Sequence, residues 1–213
     1  MRRLLAFTYK VTLLLIFLTQ MICMTGDTTQ ASPVNPSLLQ SLRQGGYILY
    51  VRHGEATVGE DQQNLVFSDC STQRNLSEQG KRDAVRYGEA LRKLKVPTQT
   101  PVLASPFCRT RETAELAFGV NNVQIDPFWV RIYNLSGNVT PSERNSTLAA
   151  LTSLLETVPP SGKNTVIIAH SFPDGVGLGE IPYLGTVVIK PRGQGKGYEV
   201  VEKIPPDELL RLQ

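Results

Sequence analysis

The chain has only two histidines, and each falls where a short run of apolar residues ends. Tyr47-Ile48-Leu49-Tyr50-Val51 leads into Arg52-His53-Gly54-Glu55, and Thr165-Val166-Ile167-Ile168-Ala169 leads into His170. Short runs rich in aromatic and β-branched residues read as buried strands, and Gly45-Gly46 punctuates the start of the first. In an open α/β sheet, chemistry collects just beyond the carboxyl ends of strands, where loops are anchored by rigid structure and their side chains remain free. Arginine brings a forked, permanent positive charge, and histidine a nucleophile or base near neutral pH. Glycine lets the backbone come close to whatever sits there. Arg-His-Gly alone is a short string, so its meaning depends on the rest of the chain.

The remaining elements follow from pattern and capping. Asn35-Pro36 opens a short helix through Leu38, Leu39 and Leu42 that ends at Gly45. Residues 54–75 show no sustained periodicity and read as a long loop, a feature that is usually functional or disordered inside a compact domain. Ser77 caps a helix with Ala84, Val85, Leu91 and Leu94 on one face, stopping before Pro97. Pro101–Ala104 is a second strand, ending at Ser105. A helix beginning near Pro106 carries Arg109 in its first turn and closes at Gly119. Val123–Ile125 is a weaker strand, and Thr140-Pro141-Ser142-Glu143 is a capping box opening a helix through Leu155. Residues 185–190 and 197–201 read as an antiparallel pair at one sheet edge. Alternating strands and helices predict a three-layer α/β fold with a mostly parallel central sheet flanked by helices.

At 213 residues and 41% hydrophobic content, one substantial core is expected. Arg2, Arg3 and Lys10 flank an apolar run from Val11 to Met24, short of the roughly 20 residues that span a bilayer. With Thr29-Gln30-Ala31 as a small-residue cleavage site, residues 1–31 read as a secretory signal peptide or an uncleaved signal anchor. Residues 32–45 then form a linker and short helix, and 46–213 the functional domain. The globular part is expected to be exported, periplasmic or extracellular, with membrane attachment through residues 11–24 only if the signal stays in place. Loss of residues 1–31 removes three positive charges (Arg2, Arg3, Lys10) and one negative (Asp27), leaving +1 of the formal +3. No nucleic-acid partner is implied. Cys70 and Cys108 remain; an exported even pair invites a disulfide, and two buried thiols are the equal alternative.

If these strands are parallel, Arg52, His53, Arg109 and His170 project at one sheet edge, and the helix near Pro106 aims free backbone N–H groups there. Two arginines, two imidazoles and a helix N-terminus form a pocket for a dianion such as phosphate. Two separated histidines without a Cys/His/Asp cluster suggest no metal site, and nothing calls for a cofactor. Bland readings suit Trp129 and Tyr133 as packing residues, Arg74 and Arg111 as surface charges, and Glu143 as a capping-box partner. Arg74 could also reach the pocket. Asn75, Asn134, Asn138 and Asn145 lie in N-x-Ser/Thr sequons.

These motifs together resemble the histidine phosphatase superfamily, which includes the cofactor-dependent phosphoglycerate mutases. The resemblance rests on Arg52-His53-Gly54 after the first strand and on Leu76-Ser77-Glu78-Gln79-Gly80 at a helix start. It rests equally on Ser105 through Arg109 to Thr113-Ala114, and on His170 after a later strand, and it covers about residues 46–190. It implies a phosphoglycerate mutase-like fold and a histidine acid phosphatase-like, metal-independent phosphomonoesterase acting on a small phosphorylated substrate. His53 would be the nucleophile. Arg52, Arg109, His170, Gly54 and Ser105 would hold the phosphoryl group. Mutase-like members carry an acidic glutamate soon after the second motif, but here Asp126-Pro127-Phe128-Trp129-Val130-Arg131 has none. Glu55, slightly favoured because it shares the loop of the nucleophile, and Asp174 are the candidates for the acid. The competing expectation is a phosphate- or phospho-ligand-binding protein on the same fold with little or no turnover.

Overall fold

Strand β1 (Ile48–Arg52) is apolar on both faces up to its last residue, and it lies inside a six-stranded sheet. The computed structural model describes residues 35–210, within the unit Ser32–Gln213. The signal or anchor assigned to residues 1–31 lies outside the described residues, among which no helix is long and apolar enough to cross a membrane. Beside β1 the sheet continues through β6 (Thr165–Ala169), β4 (Val102–Ala104) and β5 (Val123–Ile125), all parallel. On its other side stand β7 (Thr186–Pro191), antiparallel to β1, and β8 (Tyr198–Ile204), antiparallel to β7. The sheet is thus mostly parallel, with an antiparallel pair at one edge, as the pattern predicts.

Side chains alternate between the two faces of a strand, so one strand feeds two cores. Leu49, Val51, Val166 and Ile168 pack under α1 (Pro36–Gln44), α2 (Glu78–Lys93) and α3 (Cys108–Phe118). Ile48, Tyr50, Ile167 and Ala169 pack on Trp129 and Ile132 of α4 (Phe128–Asn134) and Leu151 and Leu155 of α5 (Pro141–Leu155). Three layers result, with a short α6 (Pro206–Leu210) near the end. The expected caps are present. Asn35 accepts from Ser37 N–H before Pro36, Ser77 accepts from Gly80 N–H, and Thr140 with Glu143 closes a full capping box.

Register places the site. Arg52 faces Ala169 and Ala104 faces Ile168, so His53, His170 and Ser105 all leave the sheet at the same edge. Three features depart from the sequence reading. Residues 54–75 are no structureless loop: β2 (Ala56–Val58) and β3 (Asn75–Leu76) form a hairpin enclosing a 3-10 turn at Cys70–Thr72. Helix α4 escapes the periodicity argument because seven residues show too few turns. Helix α3 begins at Cys108 rather than near Pro106, with Phe107 at a cap lacking any side-chain bond.

Helices α2 and α3 touch where Gly88 faces the backbone of Ala117, and a Cβ there would overlap the Ala117 carbonyl. Gly88→Ala gains about 1 kcal/mol of helix propensity and loses about 1–3 kcal/mol to overpacking. The clash is with backbone, so loss is expected to win, lowering the urea midpoint at unchanged m-value. An unchanged or raised midpoint would mean that the two helices separate freely.

Candidate active site

The edge where β1, β4 and β6 end holds both histidines, buried to 2% and 4% exposure, with ring centroids 5.7 Å apart. His53 Nδ1 lies 2.7 Å from the Gly54 carbonyl oxygen. A carbonyl only accepts, so Nδ1 carries the proton and, in the neutral ring, Nε2 carries a free lone pair. Burial, then the charges of Arg109, Arg52 and Arg74, hold the His53 pKa well below 6.5. The main chain of the motif is locked: Gly54 N–H donates to Thr113 Oγ1 at 3.0 Å, and Thr113 Oγ1 donates to the Arg109 carbonyl at 2.6 Å. Thr113 in the second motif therefore braces the first. Gly54 has its amide and carbonyl both occupied within the protein, so it fixes the His53 ring and has no N–H left for the anion expected there.

His170 Nε2 lies 3.0 Å from Ser105 Oγ, and Phe107 and Tyr133 flank its ring at 4.8 and 5.3 Å. Burial and then His53 and the three arginines hold its pKa well below 6.5 as well. Ser105 thus reaches the site through His170.

Arg109 is fully buried. Its Nη1 donates to Asp61 Oδ1 (2.9 Å) and the Arg74 carbonyl (3.1 Å), and its Nη2 to Asp61 Oδ2 (3.0 Å). The Nε–H has no partner within the protein. Arg52 stacks 4.0 Å over the Tyr183 ring and donates through Nη1 to the Ile181 carbonyl, and its buried Nε–H also lacks a protein partner. Arg74 is half-buried and belongs to the pocket, not the surface, donating through Nη1 to the Ala56 carbonyl and Tyr183 Oη. Tyr133 does more than pack: its hydroxyl donates to Asp61 Oδ2 at 3.0 Å. Asp61 and Arg74 both sit on the 54–75 excursion, which no periodicity singled out. The only hint was the concentration of polar residues there.

The excursion is fastened to α3. Cys70 and Cys108 form a disulfide (Cα–Cα 5.7 Å), which decides between the bridge and the free thiols. Gln73 Oε1 accepts from Cys108 N–H at 2.8 Å, so this helix-end donor is capped by protein and not left for an anion. Arg111 is half-buried, not simply solvated, and donates to both sulfurs at 3.6 and 3.7 Å. Trp129 is buried in the core, and Glu143 serves its capping box. Glu55 turns toward the start of α2, where its Oε1 accepts from Ser77 Oγ at 2.6 Å. Gly80 makes that approach possible, since a Cβ there would meet the Glu55 backbone. Asp174 instead lines an open cavity of about 860 Å³ that begins at Arg52 and Ser171 and includes Arg144 and Glu180. Among the described residues, no three His, Cys, Asp or Glu side chains cluster to hold a metal ion.

The two histidines set a pH dependence of stability. In the unfolded chain they take up protons near the ordinary pKa of 6.5, in the folded one only well below it. Between those values the unfolded state binds more protons, so their contribution to stability rises with pH up to about 6.5 and then levels off. Melting temperatures from pH 5 to 8 are expected to show this slope, and His53→Gln with His170→Gln to flatten it. An equal slope in the double variant would assign the protons elsewhere.

Residues 48–128 match the sequence model of the histidine phosphatase superfamily (branch 1), a span that holds His53, Ser105 and Arg109 and ends before His170. No protein of curated function matches the sequence significantly. Among solved structures, the protein histidine phosphatase SixA complexed with tungstate is 18% identical with a TM-score of 0.51, over 76% of this chain and 99% of its own. Mycobacterial hydrolase 1 is 13% identical with a TM-score of 0.51, over 75% and 98% of the two chains. A phosphoserine phosphatase from Entamoeba histolytica, in complex with 3-phosphoglyceric acid, is 12% identical with a TM-score of 0.48, over 76% and 98%. The chain thus resembles the histidine phosphatase superfamily in sequence over residues 48–128, and it shares its fold with SixA over nearly all of that chain.

Proposed function

We propose that this protein is a metal-independent phosphomonoesterase of the histidine acid phosphatase kind, working through a phosphohistidine on His53. The carrying observation is the fixed tautomer: Nδ1–H donates to the Gly54 carbonyl, and burial among Arg52, Arg74 and Arg109 keeps the ring neutral, so Nε2 is an available nucleophile. Nε2 attacks phosphorus in line and the ester P–O bond breaks, leaving phosphohistidine and an alkoxide that needs a proton. Water then attacks the phosphohistidine, releasing phosphate and restoring the imidazole. The unpartnered Nε–H groups of Arg52 and Arg109 are suited to the charge spread over the equatorial oxygens. His170, held by Ser105, adds a further donor or acceptor to that pocket. The guanidinium groups supply positive charge of the kind a metal ion provides elsewhere.

A small phosphorylated compound is the substrate class, its leaving group in the cavity that starts at Arg52. The Cys70–Cys108 bridge supports work outside the cytoplasm, because reducing compartments keep thiols free. In EDTA the protein is expected to hydrolyse p-nitrophenyl phosphate, with a phosphoenzyme trapped by acid-labile label. His53→Ala is expected to lose both signals, turnover by at least about 10³-fold, while remaining folded. Near-wild-type turnover in this variant would remove the mechanism. Thermal stabilisation by phosphate without any turnover in the wild type would favour the binding-protein alternative.

The leaving-group proton is assigned to the cavity wall, where Asp174 and Glu180 stand, rather than to Glu55, whose carboxylate faces Ser77. An alkoxide needs this proton in the transition state and a p-nitrophenolate does not. Asp174→Asn or Glu180→Gln is therefore expected to slow an alkyl phosphate by about 10²-fold and to spare the aryl substrate. Glu55→Gln is expected to affect both substrates alike. A selective alkyl loss in Glu55→Gln alone would return the role to Glu55.

A further inference from the structure

The guanidinium of Arg109 has five N–H bonds, and their use divides it into two edges. Both Nη1 hydrogens have acceptors, Asp61 Oδ1 at 2.9 Å and the Arg74 carbonyl at 3.1 Å. One Nη2 hydrogen goes to Asp61 Oδ2 at 3.0 Å. The Nε–H is buried without a protein partner, and the other Nη2 hydrogen points parallel to it by the planarity of the group. Asp61 thus takes the end of the fork, and the side edge, Nε with Nη2, is left as a parallel pair of donors. That is the geometry in which an arginine grips two oxygens of one phosphoryl group.

Asp61 is itself fixed from three sides. Besides Arg109 it accepts from the Arg74 backbone N–H at 3.0 Å and from Tyr133 Oη at 3.0 Å. Burial acts to raise its pKa, but the hydrogen bonds from Arg109, the Arg74 amide and Tyr133, with the charge of Arg109, outweigh it and hold the carboxyl ionised below its ordinary 3.8. Phe107 stacks 4.4 Å from the guanidinium carbon and closes off other orientations. A lone side chain with four flexible torsions would lose its aim in such a pocket. Bound end-on to an anchored carboxylate, it has one.

We infer that Asp61 is the positioning residue of the phosphate site, turning the Nε/Nη2 edge of Arg109 toward the phosphoryl oxygens. The inference rests on the phosphatase reading for its kinetic test and on phosphate binding alone for a second test. Asp61→Asn keeps shape and one acceptor oxygen but sets an amide N–H against Nη2. It is expected to lower kcat on p-nitrophenyl phosphate by about 10²-fold with a smaller change in KM, and to weaken orthovanadate inhibition by a similar factor. Combined with Arg109→Lys, which keeps a cation beside the carboxylate but has no side edge, the second substitution should add less than about twofold. Melting temperatures of all variants check that they are folded.

Two outcomes overturn the inference: a variant Asp61→Asn within about twofold of wild type in both kcat and vanadate inhibition, or losses that multiply in the double variant. If the wild type shows no turnover, the phosphatase reading fails and calorimetric phosphate binding decides. Weaker binding in Asp61→Asn then supports positioning, and equal binding, or no binding in the wild type, overturns it.

Discussion

A buried guanidinium needs its charge answered by protein groups, and Arg109 is such a group, held at its Nη end while its Nε–H stays unpartnered. An uncompensated buried charge would cost several kcal/mol, and here one carboxylate, Asp61, supplies the compensation. Because Asp61 comes from the excursion between β1 and α2, the ion pair joins the loop that follows His53 to helix α3. The rest of the site follows. The carboxylate pairs with Arg109 alone, while Arg52 and Arg74 donate to carbonyl and phenol oxygens, so the pocket keeps an excess of positive charge that an anion can satisfy. The same excess, added to burial, keeps both imidazoles neutral. One arrangement thus serves two chemical needs, a field that attracts an anion and an imidazole left unprotonated.

The field acts at a point because the sheet brings its sources to one edge. Parallel pairing of β1 with β6, and of β6 with β4, lines up three strand ends, and the residue after each is His53, His170 or Ser105. Thr113 then couples the two motifs through Gly54 N–H and the Arg109 carbonyl. A one-residue slip in either pairing would exchange the two faces of a strand and separate these groups.

The excursion is held shut by a bridge that the sequence left level with two free thiols. The Cys70–Cys108 bridge closes a separation of 38 residues, which removes about 4 kcal/mol of chain entropy from the unfolded state on the loop-closure account. Gln73 and Asn75 then satisfy backbone carbonyls within the turn, and Gln73 also accepts from Cys108 N–H at the start of α3. The result is a rigid mount for Asp61 and Arg74.

Sequence alone determined what depends on local order. Short apolar runs ending in His53 and His170, the caps at Asn35, Ser77 and Thr140, and the alternation of strands and helices are set by neighbours along the chain. They gave the layers, the parallel sheet and four of the pocket residues, Arg52, His53, Arg109 and His170. What tertiary structure decided is pairing across distance. Asp61 looks like any loop carboxylate until Arg109, 48 positions away, is folded onto it. Arg74 and Tyr133 read as surface and packing residues for the same reason. Glu55 looked like an acid by its nearness to His53, yet strand geometry turns it to Ser77, 22 positions on. Charge and hydrogen-bond partners act over ångströms in space, and no periodicity in the sequence records which distant residues the fold will bring within that range.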